Sequence, residues 1–167
     1  DKMLKQMQDA EPALNEARAI GAVVGAIPDW VDRIVVADNG STDETGAVAA
    51  AAGAVVVREA EPGYGAACLR GIREVADMDV IVFVDGDFSD HAEDMADLTD
   101  PIIAGTADMV IGSRALGDRE RGSLTPQQIF GNWLATRLIR LIWGAHYTDL
   151  GPFRAIRRTS LDALGMA

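Results

Sequence analysis

Two aspartates at the end of an apolar run have the clearest chemical potential in this sequence. Asp85 and Asp87 flank Gly86 directly after residues 80–84, which are all apolar. Two carboxylates one residue apart, with glycine giving backbone freedom between them, can hold one hard divalent cation and leave coordination positions open for a diphosphate. Such a cation neutralises charge that builds on a phosphate leaving group. The spacing therefore predicts a metal site at a strand end.

Two further turns have residue types suited to binding. The short apolar run 33–37 stops at Asp38-Asn39-Gly40-Ser41, a cluster of turn formers. Gly63-Tyr64-Gly65 opens a predicted helix, where free backbone N–H groups favour an anion. The third glycine of a dinucleotide-binding GxGxxG pattern is replaced by Cys68, which argues against a site of that kind.

Alternating strand and helix patterns position these turns. Apolar runs at 33–37, 54–57, 80–84 and 109–111 predict strands, and the segments between them, 42–52, 64–76 and 92–104, predict helices. This order is typical of a largely parallel sheet with helices on both faces. Ligands in such sheets bind at the carboxyl ends of the strands, where both acidic turns are expected.

Composition and charge narrow the classes of function. The 167 residues have a net charge of −11, which argues against nucleic-acid binding. Residues 1–112 have a net charge of −15, whereas residues 113–167 have a net charge of +4, with arginine as their only basic residue type, which fits bidentate contacts to phosphate or carboxylate. The one cysteine excludes an internal disulfide, and no apolar run is long enough to cross a bilayer. We therefore expect a cytoplasmic domain with an anionic small-molecule partner.

A predicted helix at residues 126–143 has two apolar strips. One interpretation is a helix buried on two sides. The other is an interfacial helix at the inner face of the membrane, with Arg137 and Arg140 near lipid headgroups. Self-association of the chain is also left open.

Six ordered motifs in residues 12–158 together resemble family-2 glycosyltransferases of the GT-A fold. The branch that they resemble most includes dolichyl-phosphate mannosyltransferases and bacterial polyprenyl-phosphate glycosyltransferases. The motifs are PALNE at 12–16, IVVADNGSTD at 34–43, GYGAA at 63–67, VDGD at 84–87, DMVIGSR at 108–114 and TDLGPFR at 148–154.

The resemblance implies an α/β fold, a Rossmann-like GT-A sandwich with a mostly parallel sheet and helices on both faces. It also implies inverting, metal-dependent transfer of a hexose from a nucleotide diphosphate sugar of the UDP-glucose or GDP-mannose type. The expected acceptor is a polyprenyl or dolichyl phosphate, or else a small hydroxyl compound.

The resemblance further implies roles for individual residues. Asp85 and Asp87 would hold Mg²⁺ or Mn²⁺, and Asp87 would also be a catalytic residue. The acceptor phosphate or the departing diphosphate would meet Arg114 and Arg154, and Asp149 would be the base for a hydroxyl acceptor. The nucleotide would contact Pro12, Leu14, Glu16, Asp38, Gly63, Gly65 and Asp85.

The sequence departs from the family pattern at three places. Residues 1–10 have helix-forming composition where the family has its first, central apolar strand. Residues 11–167 are expected to form a single GT-A catalytic domain that is truncated at its C-terminal end. Asn39 stands where the family has a second aspartate in the nucleotide turn, which leaves the role of that position open.

Three alternative functions remain at this point. A haloacid-dehalogenase-type phosphatase also places Asp-x-Asp after a strand, but its motif normally continues with Gly-Thr rather than Phe88-Ser89. A nucleotidyltransferase shares the sheet and metal chemistry but needs a glycine-rich, basic loop near the start of the chain. A fragment that binds a nucleotide sugar without turnover is the third.

Overall fold

The computed structural model describes residues 16–112, 137, 141 and 151–165. The described strands are β1 Val35–Asp38, β2 Val55–Arg58, β3 Val80–Phe83, β4 Met109–Ile111 and β5 Arg154–Arg157. The described α-helices are α1 Ile20–Ala26, α2 Thr45–Ala51, α3 Tyr64–Glu74, α4 Met95–Ile103 and α5 Arg158–Ala163. A short 3-10 helix, Ala92–Asp94, leads into α4.

The first sheet consists of β1 and β2. They pair in parallel, with Val35 opposite Val55 and Asp38 opposite Arg58. The crossover between them is α2, whose inner face packs against β1 and α1. The buried side chains of this first core are Ile20, Val24, Val36, Ala49 and Ala54. This core fixes the end of β1 and therefore the position of the turn that follows it.

The second sheet has the order β3-β5-β4. β5 lies between the other two strands and is antiparallel to both, so β3 and β4 run in the same direction. Arg154, the first residue of β5, lies opposite Phe83 at the end of β3. Helix α4 packs on one face of this sheet, where Met95, Leu98 and Ile102 are buried. The second sheet thus carries Asp85-Gly86-Asp87, the aspartate turn, and an arginine side by side.

The α/β class is confirmed, with helices against both sheets. The predicted strands and helices of residues 33–111 are present, with ends shifted by at most three residues. The sequence patterns did not predict β5, because its four residues are two apolar residues between two arginines rather than an apolar run. The predictions for residues 1–10 and 126–143 lie outside the described residues, except that Arg137 and Leu141 are helical and exposed.

Candidate functional site

The turn after β1 is organised by Asp38. This residue is buried, and its Oδ1 accepts a hydrogen bond from the backbone N–H of Ser41 at 2.8 Å. Its Oδ2 lies 3.8 Å from Nε of Arg58, on the neighbouring strand. A buried carboxylate needs such partners, because burial in isolation disfavours its charged form. Oδ1 is thus engaged within the turn itself, and Oδ2 faces Arg58.

Asn39 connects this turn to Gly63-Tyr64-Gly65, the glycine turn. Its Nδ2 donates to the carbonyl oxygens of Glu59 (3.3 Å) and Glu61 (2.7 Å), and its Oδ1 accepts from the N–H of Gly63 at 2.7 Å. An amide supplies donors and an acceptor together, which a carboxylate cannot do. Gly63 has φ 126°, a conformation that favours glycine. The departure from the family pattern at Asn39 therefore has a structural reason.

Tyr64 connects the glycine turn to the second sheet. Its hydroxyl accepts a hydrogen bond from Nη2 of Arg154 at 3.2 Å. The guanidinium of Arg154 also lies over the ring of Phe83, 5.8 Å from its centroid, within cation–π range. Burial raises the pKa of Tyr64, so its hydroxyl keeps its proton at neutral pH. Arg154 is thus held beside the end of β3 by two aromatic side chains.

The aspartate turn follows β3 directly. The backbone N–H of Asp85 donates to Oδ2 of the buried Asp90 at 3.0 Å, which fixes where the strand ends. Asp85 is half-buried, whereas Asp87 is exposed, with its Oδ1 accepting from the N–H of Ser89 at 2.8 Å. In the described part of the chain, no three His, Cys, Asp or Glu side chains form a metal-holding group. Two hard carboxylate donors with open positions on the cation fit Mg²⁺ or Mn²⁺.

Phe88 is a site candidate that the sequence analysis missed. It has φ 64°, although it is not glycine, and its ring is exposed next to the aspartate turn. Such strain at a non-glycine residue concentrates at binding and catalytic sites. Only the sequence position after Asp87 could have drawn attention to it, since the backbone conformation has no sequence signature here.

Glu16 lies at the same edge as the turn after β1. It is half-buried, and the N–H of the next residue, Ala17, donates to Oδ2 of Asp43 at 3.3 Å. Oδ1 of Asp43 accepts from the hydroxyl of the buried Thr45 at 2.5 Å. This hydroxyl is the main cause that lowers the pKa of Asp43. The start of α1 is thereby anchored to the segment after β1.

The structure shows less about the surroundings of the other predicted site residues. Gly65 lies in the first turn of α3, with open space around its Cα. Gly112 passes so close to Phe153 that a Cβ would approach its ring to 3.0 Å, which brings the segment before Ser113 alongside β5. Pro12, Leu14, Arg114 and Asp149 lie outside the described residues.

The structure therefore joins three of the predicted turns into one edge. Asn39 links the turn after β1 to Gly63, and the adjacent Tyr64 holds Arg154 beside the end of β3. The sequence model described as "Glycosyl transferase family 2" matches residues 12–165. The chain belongs to this family. Its membership decides against the phosphatase and nucleotidyltransferase alternatives.

Two relatives of this glycosyltransferase family member match most of the chain. An uncharacterized glycosyltransferase of Mycobacterium tuberculosis (strain ATCC 25618 / H37Rv) is 43% identical over 157 residues, which are 93% of this chain and 69% of that protein. The undecaprenyl-phosphate mannosyltransferase of Micrococcus luteus is 28% identical over 166 residues, which are 93% of this chain and 68% of that protein.

A solved structure also matches this fold. The crystal structure of glucosyl-3-phosphoglycerate synthase from Mycobacterium tuberculosis, in complex with Mn²⁺, UDP-glucose and phosphoglyceric acid, is 29% identical with a TM-score of 0.65. The match covers 89% of this chain and 55% of that one, so this chain spans about half the length of the solved protein. Among the described residues, no helix combines the length and apolar character needed to cross a membrane.

Proposed function

We propose that the chain binds a nucleotide diphosphate sugar with Mg²⁺ or Mn²⁺ at this edge and transfers its hexose, with inversion, to an acceptor that carries a phosphate group. The observation that carries the proposal is the hydrogen-bonded path from Asn39 through Gly63 and Tyr64 to Arg154. The turn after β1 and the start of α3 lie along this path, and Arg154 lies opposite Phe83, two residues before Asp85. The proposal assigns the nucleotide to the first turn, the diphosphate to the start of α3 and the cation to the two aspartates. A nucleotide diphosphate sugar needs these three features side by side.

The nucleotide end of the donor would lie against Glu16 and Asp38. Oδ1 of Asp38 is already used by Ser41, so Oδ2 would accept the hydrogen bond from an N–H of the base. Pro12 and Leu14 would cover the base or ribose. Gly63 and Gly65 would let the diphosphate approach the N-terminal end of α3, where backbone N–H groups point outward.

The diphosphate end would lie against the aspartate turn. Asp85 and Asp87 would hold the cation, which when bound supplies Lewis-acid stabilisation of the charge on the leaving diphosphate. Asp87 suits this role because it is exposed and one of its oxygens is fixed by Ser89, which orients the other. Asp85 suits it because a hydrogen bond from its own backbone N–H to Asp90 fixes its main chain.

The acceptor would meet Arg154, and Arg114 from the segment that follows Gly112. A phosphate oxygen is already anionic near neutral pH, so transfer to a phosphate needs positioning and charge stabilisation rather than a strong base. Transfer to a hydroxyl would instead need Asp149 as the base. One relative is named an undecaprenyl-phosphate mannosyltransferase, and a solved structure of another contains phosphoglyceric acid. Both compounds contain a phosphate group.

Binding of the donor is tested by isothermal titration of UDP-glucose and GDP-mannose, each with and without Mn²⁺. We expect Mn²⁺ to tighten the binding of one donor at least tenfold in the unaltered chain, and Asp87→Ala to abolish that gain. Asp97→Ala is the matched control, since Asp97 is an exposed aspartate of α4 that is not part of the aspartate turn. Equal metal dependence in both variants contradicts the assignment of Asp87.

The acceptor is tested by offering a radiolabelled donor together with polyprenyl phosphate or with 3-phosphoglycerate. Label that partitions into organic solvent identifies the lipid acceptor, and label that stays with a water-soluble anion identifies the small acceptor. We expect the lipid acceptor, because the sequence motifs resemble those of polyprenyl-phosphate glycosyltransferases. With a lipid acceptor, we also expect the chain to float with vesicles that contain polyprenyl phosphate through residues 126–143. Hydrolysis of the donor without transfer to either acceptor contradicts the acceptor proposal.

A further inference from the structure

Phe88 has a backbone conformation that its side chain disfavours. With φ 64°, it is the one non-glycine residue of positive φ among the described residues. Glycine adopts this left-handed region freely and asparagine does so occasionally, whereas in most other residues the Cβ lies too close to the following carbonyl oxygen. An aromatic residue at this position therefore lowers the stability of the fold.

Two hydrogen bonds impose this conformation. Across Phe88 itself, Oδ1 of Asp87 accepts from the N–H of Ser89 at 2.8 Å. Around the whole turn, the N–H of Asp85 donates to Oδ2 of the buried Asp90 at 3.0 Å. Neither bond uses an atom of Phe88, so neither depends on the side chain that stands there. A strained residue persists only where its surroundings fix it in this way, and such residues cluster at active sites and ligand clamps.

The ring of Phe88 adds little to the packing of the described residues. Phe83 and Phe153 pack in the two apolar clusters that include residues of β5, whereas Phe88 belongs to none of the apolar clusters in the described part of the chain. The exposed fraction of Phe88 is 53%. Neither the backbone of the turn nor the core of the described residues therefore accounts for an aromatic side chain at this position.

The position of Phe88 selects the part of the donor that its ring can reach. Phe88 follows Asp87, one of the two aspartates assigned to the cation, and neighbouring Cα atoms are about 3.8 Å apart. The cation would bind the diphosphate, and the hexose is bonded directly to that diphosphate. The nucleoside end would lie against Asp38, at the end of the other sheet. The hexose is therefore the part of the donor nearest to Phe88 in the proposed complex.

We propose that Phe88 is a donor-binding residue that contacts the transferred hexose through the face of its ring. The proposal rests on the proposed function, because it takes the cation and the diphosphate to lie at Asp85 and Asp87. The face of an aromatic ring is electronegative, so it attracts the polarised C–H bonds on one side of a pyranose ring, and the contact removes apolar surface of both groups from water. Phe88 thus recognises the one part of the donor that no other assigned residue contacts.

The test separates binding of the hexose from binding of the diphosphate. Isothermal titration in Mn²⁺ compares UDP with UDP-glucose, and GDP with GDP-mannose, in the unaltered chain and in Phe88→Asn, which tolerates the left-handed conformation but has no ring. We expect Phe88→Asn to weaken binding of the sugar nucleotide about tenfold, and binding of its nucleoside diphosphate by less than about twofold. Phe88→Tyr keeps the ring and should bind both as the unaltered chain does.

Thermal unfolding without ligand supplies a second readout, which a structural role of the ring would move in the opposite direction. Relief of the strained conformation should raise the Tm of Phe88→Asn by about 2–4 °C. A lower Tm means that the ring packs on the chain itself, which overturns the proposal. The control is Ile103→Asn, since Ile103 is also exposed and apolar but follows Ile102, whose carbonyl accepts from Arg157 at the opposite end of β5 from Arg154. This control should leave the binding of all four nucleotides unchanged.

The remaining outcomes contradict the proposal in separate ways. Equal weakening of UDP and UDP-glucose means that the substitution acts through the aspartates rather than on the hexose. Unchanged binding of both overturns the proposal as well, and a selective loss of polyprenyl phosphate as acceptor would then assign the ring to the acceptor. If the unaltered chain binds none of the four nucleotides with Mn²⁺, the proposed function itself fails, and the assignment of Phe88 fails with it.

Discussion

The two sheets hold their functional turns in different ways. At the end of the parallel sheet, Asp38 and Asn39 are buried and engaged by backbone groups at hydrogen-bond distance. At the end of the antiparallel sheet, Asp87 is exposed and Arg154 is held by aromatic side chains. The first arrangement is suited to a rigid nucleotide frame, and the second to ionic groups that engage a charged ligand. The rigid turn and the groups that engage charge therefore lie in different halves of the edge.

The largest expected effect is at the charged half. Arg154→Ala should lower the rate of transfer about a hundredfold, because a charge-assisted contact to phosphate is lost, while binding of the free nucleoside stays unchanged. Steady-state kinetics and nucleoside titration measure the two quantities. Tyr64→Phe removes only the hydroxyl that accepts from Arg154, and should give a smaller loss.

The control for Arg154→Ala is Arg157→Ala. Arg157 lies at the other end of β5, where it contacts Asp108 and the carbonyl of Ile102 rather than the candidate site. The Arg157→Ala substitution should lower the thermal stability of the chain without a selective loss of the transfer rate. Equal loss of binding for nucleoside and nucleoside diphosphate in Arg154→Ala contradicts the separation between the two halves.

A smaller effect is expected at the rigid half. Asn39→Asp keeps an acceptor for the N–H of Gly63 but loses both donated hydrogen bonds and sets a carboxylate against two carbonyls. We expect the free energy of unfolding to fall by about 1–3 kcal/mol, as for other buried polar groups left without partners. Urea denaturation measures this change. If the urea concentration at the unfolding midpoint and the slope of the free energy against urea are both unchanged, Asn39 does not hold the glycine turn.

The smallest effect concerns the pH dependence of stability at the start of α1. The lowered pKa of Asp43 contributes stability that is present above its pKa in the unfolded chain and is lost as pH falls through its pKa in the folded chain. Thr45→Val removes the hydroxyl that is its main cause, so the pKa of Asp43 should rise toward its ordinary value. The stability deficit of the variant should therefore shrink on acidification, as measured by NMR titration and thermal unfolding.

Thr99→Val is the control for this pH effect. Thr99 is also a buried threonine, but its hydroxyl donates to the carbonyl of Met95 and to no carboxylate. Its stability deficit should be independent of pH over the same range. A parallel pH dependence in both variants contradicts the role of Thr45.

The sequence predicted the elements whose signals are local. Apolar runs predicted β1 and β3, and the turn formers after them predicted where each strand ends. The sequence could not predict β5, since pairing with β3 and β4 rather than composition makes Arg154–Arg157 a strand. For the same reason it could not show that Tyr64 meets Arg154, or that Asn39 meets Gly63, because these contacts join distant positions.

The central place of β5 has a consequence for folding during synthesis. β3 and β4 are both hydrogen-bonded to β5, so their sheet cannot close until Arg154–Arg157 has left the ribosome. Pairings between distant positions form slowly, because a long loop must close before its contacts are gained. The parallel pair β1–β2 needs only a short crossover and can form far earlier. The nascent chain therefore acquires the turn after β1 first and exposes the edge of β3 until β5 emerges, a period in which chaperone protection matters.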